Sequence, residues 1–351
     1  MINHQSRREF VKQGGAVVAG SAFLHAAAQA QGGTGATGGQ QSAGEIPRRA
    51  FGRTGVQVSA IGLGGYDLAK SRIEQESIRI VHEAIDAGIT FMDNAWEYNE
   101  GLSEEWMGKA LATGGRRQKV FLMTKVCTHG RDRQTAMKQL EESLRRLKTD
   151  HLDLWQVHEV IYDNDPERHF MKDGVIEALE QAKREGKVRF VGFTGHKDPA
   201  IHLEMLKRDF PFDACQLPLN AFDANFRSFE REVLPELNRR GIAAIGMKSL
   251  GGSGEPVKKG AISVPDALRY AMSLPVATTV SGIPSLGILY QNLAVARDFT
   301  PMNAQELAAL RAKVAPMAAD GRFELYKTSK KYDGATGREQ HGFPTAEDLA
   351  I

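Results

Sequence analysis

The feature that most restricts how this chain can fold is a repeat of short apolar runs at intervals of ~30 residues, the length of a strand plus its crossover helix. The runs occupy residues 58–63, 89–93, 120–125, 152–158, 188–193, 214–219, 242–248 and 277–283. Between them the apolar residues fall at helical spacing. Ile78, Val81 and Ile85 form one stripe, and Met137, Leu140, Leu144 and Leu147 form another. Val175, Leu179 and Ala182 precede Gly186, placed where a helix cap belongs, and Phe229, Val233 and Leu237 precede Gly241 in the same way. Pro265 ahead of Leu268 and Met272 suits a first helical turn. Eight strands, each followed by a helix, predict a (β/α)8 barrel, the TIM-barrel class. Arg49-Ala50-Phe51, a turn at Gly52-Arg53-Thr54-Gly55 and the run 56–59 predict a β-hairpin in front of it.

The competing architecture is an open, doubly wound sheet, which wants G-x-G-x-x-G between its first strand and helix. Gly62-Leu63-Gly64-Gly65 lacks the third glycine and runs into Tyr-Asp-Leu instead of a helix start. The barrel is therefore the expected fold, spanning residues 46–315. A helix is expected over 303–315, and residues 316–351 read as a polar extension carrying Lys327, Lys330, Lys331, Tyr332 and His341. That extension is either a solvated tail or a segment folded over the barrel mouth.

The amino terminus reads separately. Ser6-Arg7-Arg8-Glu9-Phe10-Val11-Lys12 leads into a mild Gly/Ala-rich apolar stretch that closes on Ala28-Gln29-Ala30, a small-residue cleavage pattern. It resembles a twin-arginine export signal over residues 1–30, which implies passage through the Tat machinery and a periplasmic destination. The stretch is too short and weakly apolar for a stable membrane span. Residues 31–45, rich in Gly, Gln, Ser and Thr, read as a flexible linker. The net charge is only +2, and Arg7, Arg8, Lys12 and Glu9 account for it. With no basic stripe interleaved with aromatics, nothing suggests a nucleic-acid partner. Cys127 and Cys215 are the only cysteines and read as two buried thiols.

Chemistry is concentrated at the carboxyl ends of three successive strands. Asp93, Lys125 and His158 close the second, third and fourth runs, and Tyr98 lies five residues past Asp93. In a (β/α)8 barrel such residues share one mouth. A buried carboxylate there is costly unless paired, and Lys125 is the partner expected for Asp93. A lysine ammonium near a phenol favours the phenolate, so Lys125 is expected to lower the pKa of Tyr98. His158 would bind the oxygen being protonated. The set suits proton donation to a carbonyl oxygen, with a hydride arriving from a cofactor.

The motifs D-N-A-W-E-Y-x-x-G-x-S-E, M-T-K-V, S-L-R-R-L-K-T-D-H-L-D-L-W-Q-V-H and G-K-V-R-F-V-G-F-T resemble, in order, those of the aldo-keto reductase family. The resemblance implies reduction of a small-molecule carbonyl substrate, an aldehyde or ketone, with NADP or NAD as cofactor. The family's catalytic tetrad falls on Asp93, Tyr98, Lys125 and His158. Its nicotinamide contacts fall on Thr194 and Gln216, and its phosphate and adenine segment on Ser281-Gly282 and Gln291-Asn292. Gly64, Leu250 and Gly252 join the implied cofactor-binding set. Gly251-Gly252-Ser253-Gly254 reads as a hinge for a lid over the dinucleotide.

The chain departs from that family pattern in places. A Ser-Asn pair becomes Thr194-Gly195, and the aromatic that stacks on the nicotinamide becomes Met247. The cation for the 2′-phosphate becomes Pro284-Ser285. Weak discrimination between NADPH and NADH is expected, unless Lys248 or Arg297 supplies the charge. Trp96, Trp155, Tyr162 and Phe222 suggest an apolar substrate pocket. Two other readings compete. One is a metal-dependent barrel hydrolase using Cys127, His129 and His196 with Asp93 and His158, although the sequence has no H-x-H pair. The other is a slow, redox-sensing regulatory barrel.

Overall fold

The computed structural model describes residues 44–127 and 129–344. The export-signal motif and most of the linker lie outside the described residues. An antiparallel hairpin, β1 (Arg48–Ala50) and β2 (Gln57–Ser59), comes first. Eight parallel strands then close on themselves. They are β3 (Ile61–Gly64), β4 (Phe91–Asp93), β5 (Phe121–Val126) and β6 (Leu152–Val157), followed by β7 (Val188–Thr194), β8 (Ala214–Pro218), β9 (Ala243–Met247) and β10 (Thr278–Gly282). Register runs in sequence order, and the Gly282–Gly64 pairing of β10 with β3 completes the circle. The run 58–63 is thus two strands, because the chain turns from hairpin to barrel at Ala60.

The larger helices around the barrel are α1 (Glu74–Asp86), α2 (Leu102–Leu111), α3 (Arg133–Leu147), α4 (Asp165–His169), α5 (Val175–Arg184) and α6 (Pro199–Lys207). The stripe at Phe229, Val233 and Leu237 is broken into α7 (Phe229–Glu232) and α8 (Leu234–Arg240). Pro235 has no amide hydrogen to continue the first piece, so it sits in the first turn of the second. A short α9 (Glu255–Lys258) precedes α10 (Val264–Ser273), α11 (Leu286–Arg297) and α12 (Ala304–Ala318). Asn303 starts α12 with a complete capping box to Glu306. Two short helices follow, α13 (Leu325–Thr328) and α14 (Ala335–Gln340).

Two apolar clusters explain why the mouth is polar. One packs strands against helices; the other fills the barrel interior with Phe91, Phe121, Met123, Leu154, Ala214 and Ile245. The hairpin drives Phe51 into that interior, 4.6 Å from the Phe121 ring and 6.1 Å from Phe91. Gly52 makes the approach possible, since it has φ +53° and a Cβ there would lie 2.6 Å from the Gly241 carbonyl oxygen. Side chains alternate between the two faces of a strand. The residues two places beyond Phe91, Met123, Leu154, Ala214 and Ile245 are Asp93, Lys125, Gln156, Gln216 and Met247. Four of these five are polar, so the barrel interior changes from a hydrocarbon plug to a mainly polar layer within one alternation.

The segment after α12 makes polar contacts with loops at the carboxyl ends of β6, β7 and β8. Lys197 bonds Asp333 at 2.6 Å, the Gly334 amide donates to Glu159 at 2.8 Å, and Lys327 bonds Asp223 at 2.6 Å. No helix among the described residues is long and apolar enough to cross a membrane. Cys127 and Cys215 are both buried, and no disulfide joins them.

Candidate active site

Lys125 is 1% exposed, at a point in β5 that would be prohibitive for an unpaired ammonium. Its three N–H donors are all taken. They reach Asp93 Oδ1 at 2.8 Å, the Asn94 carbonyl at 2.7 Å and the Tyr98 hydroxyl at 3.4 Å. Asp93 is satisfied from a second side as well, because Gln216 Nε2 donates to its Oδ2 at 2.8 Å. Tyr98 sits in the short turn after β4, with its amide bonded to Ala95. Asn99 and Glu100 beyond it take left-handed backbone angles, φ +52° and +61°, which swing the chain back into α2. His158, just past β6, meets the Tyr98 ring edge-on at 5.6 Å. The four residues expected at the mouth therefore lie together.

The expectation for the Tyr98 phenol is reversed. Burial, and then the carboxylates of Asp93, Glu97 and Glu159, push its pKa well above the ordinary phenol value. One ammonium already committed to Asp93 does not outweigh a hydroxyl facing three acidic groups. Tyr98 keeps its proton across the physiological range.

Thr194 and Gln216 are register partners on β7 and β8, both buried. Gln216 Oε1 is buried without a hydrogen-bond partner within the described residues, and so is Gln156 Oε1. An orphan acceptor beside a committed Nε2 suits a ligand amide N–H, which fits the carboxamide of a nicotinamide. Gly195 admits no substitute, because a Cβ there would stand 2.1 Å from the Val160 carbonyl oxygen. The missing asparagine is therefore excluded by the backbone path. Met247 ends β9 beside Pro218.

Gly64 and Gly282 face each other across the β3–β10 seam; a Cβ on Gly64 would come 2.9 Å from the Ser281 carbonyl oxygen. Ser281 and Asn292 are buried and bond each other at 3.0 Å, while Gln291 is exposed. Ser285 caps α11 through the Ile288 amide. Leu250 is half-buried, and Gly251, Gly252 and Gly254 all have positive φ. Gly252 lies against the Tyr326 ring.

Two cations were candidates for phosphate. Arg297 closes α11, about 18 Å along the helix from Ser285 at 1.5 Å per residue, too far to serve the same group. Lys248 adopts a left-handed backbone, φ +56°. Its ammonium lies 5.4 Å from the Tyr326 ring centroid and 5.7 Å from that of Tyr332, and it has no ion pair among the described residues. Burial, with some help from Lys125, pulls its pKa down to about 8.

The suggested apolar pocket does not assemble. Trp155 and Phe222 are buried in the strand–helix core, since Trp155 alternates outward between Leu154 and Gln156. Tyr162 is stacked under His341 at 3.8 Å. Trp96 remains half-exposed and donates to Glu142 at 2.9 Å. His129 sits 3.0 Å from the Cys127 sulfur and bonds Gln139, and no group of three His, Cys, Asp or Glu among the described residues could hold a metal.

Sequence reasoning missed three groups. Glu97 hydrogen-bonds His158 Nδ1 through Oε1. Glu159 stands beside them at φ +52°. Gln156 is the third, a polar residue two places above an interior leucine. The alternation rule could have singled out Gln156, but nothing in the sequence marked Glu97 apart from its place next to Tyr98.

A closed eight-stranded parallel barrel with a hairpin plug, and a buried lysine joining an aspartate to a tyrosine at its carboxyl face, defines a class of barrel proteins with a proton-handling mouth. The chain belongs to the aldo/keto reductase family, whose model matches residues 60–260. It is 34% identical over 222 residues to an uncharacterized oxidoreductase of Bacillus subtilis, covering 58% of this chain and 66% of that protein. The chain spans between 49% and 66% of the length of the first curated relatives it matches. The holo form of an aldo-keto reductase from Bacillus halodurans superposes with a TM-score of 0.65 at 26% identity, covering 77% of this chain and 96% of that one. An aldo-keto reductase from Klebsiella pneumoniae in complex with NADPH gives a TM-score of 0.64 at 23% identity, with the same coverage.

Proposed function

We propose that this protein is an NAD(P)H-dependent oxidoreductase that reduces an aldehyde or ketone to the alcohol. The observation that carries the reading is the seat of Lys125, which ties Asp93, the Asn94 carbonyl and the Tyr98 hydroxyl into one unit at the barrel mouth. The bound nicotinamide nucleotide supplies the hydride. Tyr98 is the proton donor: its raised pKa keeps the proton in place, and an alkoxide is a strong enough base to take it. Lys125 stabilises the phenolate left behind, and Asp93, held by Gln216, keeps that ammonium charged and oriented. His158 contacts the reacting oxygen. Thr194 and the free Oε1 of Gln216 hold the carboxamide, with Met247 as the surface under the ring.

The phosphates belong at the amino terminus of α11 and at Lys248, with Gly64, Leu250, Gly252, Gly282, Ser285, Gln291 and Asn292 shaping the groove. With Pro284-Ser285 where a cation for the 2′-phosphate would be expected, NADPH and NADH should bind within about tenfold of one another. The amino-terminal motif supports export by the Tat route to the periplasm, with residues 1–30 as signal and 31–45 as linker. Export would favour a nucleotide bound before transport and retained. Protein purified gently from cells should carry nicotinamide nucleotide and consume NADPH with simple aldehydes or ketones; no consumption with either nucleotide across such a panel would contradict the proposal.

A further inference from the structure

The carboxyl-terminal segment reaches the end of β9, where Lys248 begins the glycine-rich loop. Lys248 has no ion pair among the described residues. Its ammonium lies instead 5.4 Å from the Tyr326 ring centroid and 5.7 Å from that of Tyr332. The two rings stand perpendicular, with centroids 6.1 Å apart, so they form a corner with one cation beside both. Both distances fall within the ~6 Å over which an aromatic ring attracts an ammonium.

The corner is held from several directions. Tyr326 is fully buried; its hydroxyl donates to Glu324 at 2.5 Å and accepts from Asn220 Nδ2 at 3.0 Å. The same Nδ2 donates to the Lys248 carbonyl at 3.3 Å, so one side-chain amide joins the ring to the lysine backbone. Tyr332 is half-buried, and the two residues after it are anchored: Asp333 accepts from Lys197, and the Gly334 amide donates to Glu159. Gly252 rests on the same rings, since a Cβ there would lie 3.3 Å from Tyr326 and 3.7 Å from Tyr332.

A carboxylate would neutralise the ammonium it holds, as at Lys327, whereas an aromatic ring attracts the charge and leaves it uncompensated. The acidic groups that act on Lys248, first Glu159 and then Asp93 and Asp67, do so from beyond ion-pair distance, while Lys125 repels it. Resting on the reading that Lys248 meets the nucleotide phosphates, we propose that Tyr326 and Tyr332 are positioning residues for nucleotide binding. They keep the Lys248 ammonium out of an ion pair with the nearby carboxylates and its charge available to a phosphate. The carboxyl-terminal segment is in this way part of the dinucleotide site, although it lies outside the strand and loop residues that contact the nucleotide.

The experiment measures dissociation constants for NADPH and NADH by calorimetry on the full chain. The proteins compared are wild type, Tyr332→Leu, Tyr332→Phe, Lys248→Met and the double variant Lys248→Met with Tyr332→Leu. Tyr332 is the ring to change, because Tyr326 is interior and its hydroxyl is doubly bonded. Each affinity is referred to folded protein, with the denaturant midpoint measured alongside. Tyr332→Leu should weaken both nucleotides by about three- to tenfold. Tyr332→Phe, which keeps the ring, should stay within about twofold of wild type. On the Lys248→Met background, Tyr332→Leu should add less than about twofold, because the ring then has no cation to place. A loss below twofold in Tyr332→Leu, an equal loss in Tyr332→Phe, or the same loss with and without Lys248 would overturn the proposal. Unchanged affinity in Lys248→Met would overturn the assignment of Lys248 to the phosphates, and the proposal with it, an outcome distinct from failure at Tyr332 alone.

Discussion

Two lysines among the described residues, Lys125 and Lys327, are almost wholly buried, and their surroundings differ. Lys125, in β5, bonds one carboxylate, one backbone carbonyl and one phenol. Lys327, in α13, bonds two carboxylates, Asp223 at 2.6 Å and Glu324 at 3.0 Å, and the Phe226 carbonyl at 2.7 Å. Both ammonium groups have every donor used, so burial alone does not separate them. Their partners do. All of Lys327's acceptors are enclosed: Asp223 also receives the Phe229 and Glu230 amides, and Glu324 receives the Tyr326 hydroxyl at 2.5 Å. One cation between two carboxylates leaves excess negative charge, and burial raises the pKa of both Asp223 and Glu324. That cluster joins the carboxyl-terminal segment to the β8 loop and has no group left over for a substrate. Lys125 instead shares a titratable hydroxyl on a half-buried tyrosine, beside an imidazole with a free nitrogen. A buried lysine is a clamp when its partners are closed off, and part of a reacting unit when one of them still faces the mouth.

The comparison breaks most sharply under exchange of each lysine for methionine. Lys125→Met should lower carbonyl reduction per folded molecule by about 10²–10⁴, the scale of general acid catalysis, and should also cost about 3–5 kcal/mol of stability, because it leaves Asp93 buried with only the neutral Gln216 amide on its carboxylate. Lys327→Met should leave Asp223 and Glu324 buried without their cation and cost about 3–5 kcal/mol of stability, read as a lower denaturant midpoint. Turnover per folded molecule of Lys327→Met should stay within a few-fold of wild type. A reversal of these two phenotypes would exchange the assigned roles.

A smaller effect belongs to a third lysine, intermediate between the two. Lys248 has aromatic rings but no carboxylate, and its pKa falls from the ordinary 10.5 to about 8. A lowered lysine pKa means the charge is present below pH 8 and is lost as pH rises through it. Nucleotide affinity should therefore weaken above about pH 8. Lys248→Met should lose roughly tenfold or more at neutral pH, the worth of one charged hydrogen bond, and should flatten the pH dependence. Calorimetric titration with NADPH at several pH values checks both statements.

The ends of the strands were legible in the sequence because barrel geometry makes a polar residue at the end of an apolar run conspicuous. Asp93, Lys125 and His158 stood out for that reason, and Tyr98 by its spacing. The hairpin was legible from its turn residues, although not that Phe51 would enter the barrel floor. Three things were hidden. The inward or outward direction of Trp155 depends on the alternation set by Leu154, which the run L-D-L-W-Q-V does not reveal, since it is apolar on both faces. The Asp223–Glu324–Lys327 cluster joins residues about a hundred positions apart, with no local pattern to announce it. The direction of the Tyr98 shift is set by burial first and then by Asp93, Glu97 and Glu159, which converge on the hydroxyl only after two loops fold together.

Replacing Tyr98 by phenylalanine tests the proposed chemistry most directly, because it removes one oxygen from a ring whose packing against His158 and Tyr66 can persist. Turnover of an aldehyde or ketone should fall by about 10²–10⁴, with the nucleotide dissociation constant nearly unchanged. Turnover by Tyr98→Phe within a few-fold of wild type, at undiminished nucleotide binding, would contradict the assignment of Tyr98 as the proton donor.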